Sequence, residues 1–393
     1  MRYTISIVEP VGAHGGNDIY DTNLLTAINA CSSFKTNLYT SSVDKKLFNK
    51  NIKPYFRGSF GKKNKFIRLF FYLKGTILSL WNAKKVNSKI VHLHFFGFNQ
   101  LEYINIFLAK KIFGFKVVAT IHDVESFEKY AKNDTSKHNY VKFIALMDGI
   151  VVHTDYARKE LLNNIGNDLI LHSRIKTIYA CDLDYTTLDD NQIEMKVARE
   201  KLNLPQEREI ILFFGQIKKV KGLDVLLEAL TDVKRKIPSV LLVIAGKVWK
   251  DNFIEYERLI EKYSLHNNVE LRIGFVDNED VPYYFNAVDA IVLPYQKIYN
   301  SGVLIRAMSF ATVTIASDFG PFSEFIESAE NGFLFKTGDK SALAKSVIEV
   351  LSNKVKSSHI GEKGKITIKD GFSLTEIGKQ YCEFYNDILE GEK

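Results

Sequence analysis

The chain has little cysteine, proline or tryptophan: three, seven and two residues among 393. Cys31, Cys181 and Cys382 are far apart, odd in number and outside any CxxC pair. Neither a disulfide framework nor a zinc ribbon is therefore expected, and a reducing compartment is. No apolar run reaches the roughly 18–20 residues that cross a bilayer. The most lipid-like stretch, Phe66–Trp81, is shorter and is broken by Arg68 and Lys74. Met1–Pro10 lacks a charged head followed by an apolar stretch, so no signal peptide is expected. With 46% hydrophobic residues, the chain is not disordered, collagen-like or of low complexity. At about 100–200 residues per domain, its length suggests two domains.

Negative charge is missing from one whole segment. Between Lys45 and Lys89 there are 13 Lys and Arg and no Asp or Glu, although the net charge is only +7. Aromatic and aliphatic residues are interleaved with these cations: Phe66, Ile67, Leu69, Phe70, Phe71, Tyr72, Leu73, Ile77, Leu78, Leu80 and Trp81. A helix with cations on one face and Phe, Leu and Trp on the other suits an anionic membrane surface. A core helix with a solvated basic face gives the same pattern. A nucleic-acid groove would need a recognition motif, and none accompanies the segment, so no nucleic-acid partner is expected.

What fills the rest is alternation. Short Val- and Ile-rich runs at Tyr3–Glu9, Lys89–Phe96, Lys116–His122 and Gly149–Thr154 are separated by helical spacing at Asp21–Ala30 and Leu101–Phe113. The pattern lapses into polar and acidic residues between about Asp182 and Gln206, then restarts. Strands are expected at Glu209–Phe214, Val240–Ala245, Val269–Ile273, Ala290–Leu293 and Val313–Ala316, with helices from Gly222, at Leu304–Phe310 and at Ser341–Leu351. Such alternation makes βαβ units and buried parallel sheets. The expected class is α/β, with two doubly wound, Rossmann-like domains at 1–185 and 207–371 facing a central cleft. Residues 186–206 are the expected connection, and 372–393 a closing helix that crosses back.

Ligands of such sheets bind where strand carboxyl ends meet helices. Gly215 to Gly222 follows a strand and opens a helix, with Lys221 adding a cation beside the free N–H groups, so a phosphate fits. Asn300–Val303 leads into another helix and makes a second anion site. Gly15 and Gly16 let a ligand approach the backbone after the first strand. No GxGxxG and no GxxxxGK[ST] follows that strand, which leaves nicotinamide dehydrogenases and P-loop ATPases without their signatures.

Five segments together resemble glycosyltransferase family 4, retaining enzymes of GT-B fold: FFGQIKKVKGLDVLLEAL, VELRIGFVDNEDVPYYFNAVDAIVLPY, NSGVLIRAMSFATVTIASDFGPFSEFIESAENGFLF, KVVATIHD and IKTIYACDLD. The likeness covers most of the second domain and is thinner in the first. It implies that Lys221 binds the donor phosphate and that Gly15 and Gly16 face the same diphosphate. It implies that Ser301, Gly302 and Val303 offer N–H groups, that His122 reaches the donor sugar, and that the backbone at Phe275 and Val276 holds the base. Gly215 and Gln216 belong to the same donor loop. No metal and no cofactor is expected if lysine and helix ends neutralise the leaving diphosphate.

Two departures stand out. The family's arginine is Gln216 here, and the second glutamate of its E-x7-E motif is Arg306. No carboxylate lies between Val292 and Arg306. Arg306 is expected to restore near the diphosphate the cation lost at Gln216, with the ribose held by backbone groups or Glu324. The alternative places Arg306 toward solvent or the domain interface. His92 and His94 could be a metal pair but alternate along an apolar strand. Asp182-x-Asp184 is read as turn chemistry. His122, Asp123 and Glu125 form the best acid–base cluster, and His14 is a candidate acceptor contact. The expectation is a cytoplasmic glycosyltransferase, peripheral on the inner membrane face, moving a sugar from a nucleotide-diphosphate donor to a saccharide or lipid-linked acceptor for bacterial surface polysaccharide. The rival is a non-catalytic nucleotide-sugar or anionic-lipid binding protein of the same fold.

Overall fold

The computed structural model describes residues 2–12, 17–41, 51–59, 64–124, 140–166, 168–180, 193–249 and 252–391. The chain divides into two compact units, residues 1–183 with 372–393 and residues 184–371. In the first, β1 (Tyr3–Glu9), β2 (Phe34–Thr40), β3 (Ile52–Lys53), β4 (Ser88–Phe95), β5 (Lys116–Ile121), β6 (Gly149–Val152) and β7 (Ile175–Thr177) form one parallel sheet. Their spatial order is β3-β2-β1-β4-β5-β6-β7. The direction of winding reverses between β1 and β4, so the crevice that takes ligands in such sheets opens at their carboxyl ends. The β-branched runs of β4, β5 and β6 are buried on both faces, as a sheet covered by helices requires.

The helices of this unit are α1 (Asn17–Ala30), α2 (Lys65–Lys85), α3 (Gln100–Phe107), α4 (Tyr140–Leu146), α5 (Asp155–Ile165) and α6 (Leu169–Ser173). A capping box starts α3: Asn99 Oδ1 accepts from the N–H of Leu101 and Glu102, and the Glu102 carboxylate accepts from Asn99 N. The single helix expected over Leu101–Phe113 instead passes into a π-helical turn at Leu108–Ile112.

The second unit begins with α7 (Met195–Lys201), within the stretch whose polar composition suggests a connection. Its anchor is Arg199, which is buried, donates to the Ala287 carbonyl at 2.8 Å and meets the Asp289 carboxylate at 3.1 Å. Strands β8 (Ile210–Phe214), β9 (Leu241–Gly246), β10 (Val269–Ile273), β11 (Ala290–Leu293), β12 (Thr314–Ser317) and β13 (Phe333–Phe335) again run parallel, in the order β10-β9-β8-β11-β12-β13. Here the winding reverses between β8 and β11. The helices are α8 (Leu223–Lys236), α9 (Ile254–Lys262), α10 (Val281–Asn286), α11 (Gly302–Ser309), α12 (Phe322–Phe325), α13 (Lys340–Ser352) and α14 (Lys354–Gly371). Leu223, Leu226, Leu227, Leu230 and Val233 put the apolar face of α8 into the core beneath β8. Each such side chain contributes about 1.5–3 kcal/mol on burial.

The last helix, α15 (Leu374–Glu390), packs on α1. Gly378 makes this possible, because a Cβ there would run into the Ala27 carbonyl. The Tyr20 and Tyr381 hydroxyls meet at 3.1 Å across the same contact. The close approach also brings Cys31 and Cys382 together in a disulfide across 351 residues of sequence. This corrects the expectation that the cysteines stay apart: their spacing along the chain carries no trace of the packing of the first helix on the last. Cys181 lies outside the described residues. No described helix is long and apolar enough to cross a membrane.

Candidate active site

In the second unit, β8 delivers the chain to Gly215, and the loop after it closes in a 3-10 turn at Lys219–Lys221 before α8. Gly222 joins turn to helix at φ 66°, where a side chain is strained and a Cβ would strike the Pro294 carbonyl. Pro294 starts the loop that follows β11, and Gln296 N donates to Val220 O at 2.8 Å, so the two loops are fastened together. The Lys221 ammonium sits 3.5 Å from the centroid of the Tyr295 ring. Tyr295 is wholly buried, and burial pushes its phenol above the ordinary range. Its ring leans on Phe322 at 5.4 Å, and its carbonyl accepts from Ser317 Oγ at 2.6 Å. The aromatic platform that orients Lys221 is therefore rigid.

Ser301 caps α11, its hydroxyl accepting from Leu304 N at 3.3 Å. The Val303 side chain lies against Gly215, 3.4 Å from where a Cβ would stand. Gly215, Lys221, Ser301, Gly302 and Val303 thus come together at the carboxyl ends of the adjacent strands β8 and β11. A lysine, a glycine loop and the N-terminal end of a helix at one point make an anion cradle.

In the first unit, Glu9, His94, His122 and His153 stand at or just past the ends of β1, β4, β5 and β6. The Glu9 carboxylate accepts from the N–H groups of Val11 and Gly12 and fixes the start of the loop after β1. Burial, then the nearby Asp21 charge, pushes Glu9 up to about 8, so it carries a proton at neutral pH. His122 is held from several sides: Phe96 stacks on it at 4.6 Å, and Tyr20 meets it edge-on at 5.1 Å. His94 and His153 lie 5.3 and 5.0 Å from it, ring to ring. Burial lowers all three imidazoles, His94 and His153 to about 4 and His122 well below the ordinary value. His122 is accordingly a neutral hydrogen-bonding group. His92 is different: its two nitrogens meet the Tyr385 and Thr120 hydroxyls at 2.7 and 2.8 Å, and it is a core residue.

The other residues named from sequence fall as follows. Gln216 is half-buried beside Gly215. Phe275 and Val276 follow β10, two strands from β8 on the same carboxyl edge, with the Phe275 ring 71% exposed. Arg306 is half-buried on α11, one turn beyond the Ser301 cap, with its Nε enclosed. Glu324 lies on α12, two residues after the Phe322 that braces Tyr295. His14, Gly15, Gly16, Asp182, Asp184 and Glu125 lie outside the described residues. Sequence reasoning missed Lys297, only 8% exposed in the loop fastened to the Lys221 turn, and the groups around His122. Among the described residues, no three His, Cys, Asp or Glu are arranged to hold a metal ion.

Comparison with known proteins agrees with this geometry. Residues 194–367 match the family described as glycosyl transferases group 1. N-acetyl-alpha-D-glucosaminyl L-malate synthase of Bacillus anthracis is 22% identical over 317 residues, 79% of this chain and 78% of that protein. The capsular polysaccharide biosynthesis glycosyltransferase CapM of Staphylococcus aureus is 23% identical over 203 residues, 52% of this chain and 51% of its own. The Anabaena protein HepE, solved in complex with UDP-glucose, superposes with a TM-score of 0.76 at 17% identity, covering 98% of this chain and 99% of that one. Residues 194–367, within the second unit, are thus similar to the glycosyl transferases group 1, and the two parallel-sheet units have the GT-B fold of these solved neighbours.

Proposed function

We propose that this glycosyltransferase takes a sugar from a nucleotide-diphosphate donor and passes it, with retention of configuration, to a lipid-linked saccharide in the making of a bacterial surface polysaccharide. The observation that carries this reading is the cradle of Lys221, Gly215 and the Ser301-capped helix. As the anomeric bond breaks, negative charge gathers on the leaving diphosphate. A fixed ammonium and oriented N–H dipoles aimed at that charge favour the transition state over the ground state. On this reading Lys221 and the helix end do the work that a divalent cation does elsewhere. His122, neutral and locked in place, serves as a hydrogen-bonding contact to the donor sugar.

The membrane part of the reading rests on α2. Phe66, Phe70, Ile77 and Trp81 recur at helical spacing and are exposed, Trp81 by 60%. Lys74 lies in the same stripe, and Lys65, Lys84 and Lys85 flank it. The buried face of the helix is small and polar (Gly75, Thr76, Ser79, Asn82), with Leu80 and Ala83, so the larger apolar side chains point outward. An apolar face ringed by cations suits an anionic lipid surface. The experiment is release of nucleoside diphosphate from a panel of sugar nucleotides in the presence of bacterial lipid extract, with and without EDTA. Acceptor-dependent release that EDTA does not abolish, with the donor's anomeric configuration kept in the product, is expected. Inversion, or release abolished by EDTA and restored by a divalent cation, contradicts the corresponding part.

A further inference from the structure

The seam between α1 and α15 holds a disulfide and, beside it, a cavity. Cys31 follows the last turn of α1, and Cys382 lies midway along α15. A cavity of about 300 Å³ opens on both cysteines, lined by Ser32 and Ser33 from the chain beyond α1 and by Lys379 and Glu383 from α15. That volume is at the small end of ligand pockets. Lys379 and Glu383 put one charge of each sign on it, which suits a small hydrophilic molecule. Cys31 is half-buried and reachable from the cavity, whereas Cys382 is only 7% exposed.

A disulfide kept only as a staple belongs to small secreted domains that lack a sufficient core. Here each unit has its own parallel sheet with a buried core. The seam also suits the reduced pair. Cys31 Sγ stands 3.5 Å from the Gly378 carbonyl and Cys382 Sγ 3.9 Å from that of Ile28, so each thiol would donate to an acceptor on the opposite helix. The two sulfurs are not equivalent. Cys31 sits at the C-terminal end of α1, where the helix dipole disfavours a thiolate. Cys382 has the Lys379 ammonium one turn before it on α15, which favours one. The sulfur open to attack is therefore Cys31, and the better leaving group is Cys382. The same seam carries the Tyr20–Tyr381 contact, and the Tyr20 ring meets that of His122 at 5.1 Å.

We propose that Cys31–Cys382 is a reversible thiol-exchange site for a small hydrophilic thiol, and that its redox state sets how firmly α15 is held on α1. In the first step the incoming thiolate bonds to Cys31 Sγ as the Cys31–Cys382 bond breaks. The electron pair leaves with Cys382 Sγ, which takes up a proton. A second thiolate then attacks the reagent's sulfur in the mixed disulfide and releases Cys31, which is protonated in turn. Two reagent thiols are thereby oxidised to one disulfide, and the protein's disulfide is reduced to two thiols. What is lost is the one covalent link between α1 and α15, across 351 residues of sequence.

The test uses the full chain, without denaturant, in millimolar reduced glutathione, followed by alkylation, peptide mass mapping and hydrogen exchange. The expected course is a glutathione adduct on Cys31, then free thiols at both positions. Amides of Leu374–Glu390 should then exchange at least about ten-fold faster than in the oxidised chain, with the central strands of both sheets unchanged. Should the adduct be too short-lived to trap, a chain with Cys382→Ser and Cys181→Ser keeps Cys31 alone, and oxidised glutathione should modify it. If the chain is isolated with both thiols free, oxidised glutathione should close the bond between them. Reduction that needs denaturant, a Cys31 that takes no adduct in either form, or exchange in α15 that is the same in both states overturns the proposal. So does a reduced pair that oxidised glutathione fails to close.

Discussion

Replacing Lys221 by methionine keeps an unbranched apolar stem and removes the ammonium that lies over the Tyr295 ring. A unit charge pair about 4 Å apart at an effective dielectric near 20 is worth about 4 kcal/mol before water competes. Lys221 is half-buried, so solvent reduces this, and a charge-assisted contact of about 1.5–3 kcal/mol is the better guide. Nucleoside diphosphate affinity should therefore fall roughly 10- to 150-fold. The unliganded protein loses the cation–aromatic contact seen at 3.5 Å. That is worth about 0.5–1 kcal/mol near a surface, or a Tm lower by about 1–4 °C for a unit of this size. Isothermal titration at two salt concentrations and a melting curve without ligand separate the two effects. The variant's affinity should depend less on salt than that of the unaltered chain. Equal affinities, or a collapse of the unliganded Tm far beyond a few degrees, would refute the reasoning, the second by making Lys221 a structural residue.

Other expectations follow from the same geometry. Arg306→Glu should weaken nucleotide binding, and tighter binding would show that Arg306 does not serve the diphosphate. Thermal stability should peak near pH 6.5. His94 and His153, lowered from 6.5 to about 4, make the unfolded chain bind more protons in that window, so stability is lost as pH falls through it. Glu9 and Glu102, raised from 4.5 to about 8, act in the opposite sense, so stability is lost as pH rises toward 8. His92 and His122, also lowered, make the histidines outweigh the two glutamates on the acid side. A Tm that climbs steadily from pH 6.5 to 8 would contradict this. Phe70→Ser combined with Trp81→Ser should abolish sedimentation with vesicles containing phosphatidylglycerol while leaving nucleotide affinity intact; undiminished sedimentation would remove α2 from the membrane reading.

The alternation of β-branched runs with helical spacing made both parallel sheets legible. Strands such as Val269–Ile273 and Ala290–Leu293 begin and end where hydrophobicity alone places them. Strand β2 was not legible, because FKTNLYT alternates apolar and polar residues too loosely to stand out from a loop. Helix α7 hid for a related reason: its anchor is the side chain of Arg199, which composition counts as polar. The loops at 215–222 and 300–303 could be placed at strand ends because glycine, lysine and serine stand there at telling positions. The surroundings of His122 could not. Glu9, Tyr20, Asp21, His94 and His153 come from four separate segments, and only the sheet order sets them side by side. Lys297 gave no signal either, since burial of one lysine leaves no trace in spacing.

The central claim is that the cradle of Lys221 and the Ser301-capped helix binds a nucleoside diphosphate. Thermal unfolding with UDP, GDP, ADP, dTDP and CMP, each at millimolar concentration, tests it most directly. A ligand at about 100 times its dissociation constant adds roughly 2.7 kcal/mol, which raises Tm by about 5–10 °C. One diphosphate shifting the transition in the unaltered protein and failing to do so in Lys221→Met is the predicted result. No shift with any of the five, or an equal shift in the variant, would contradict it.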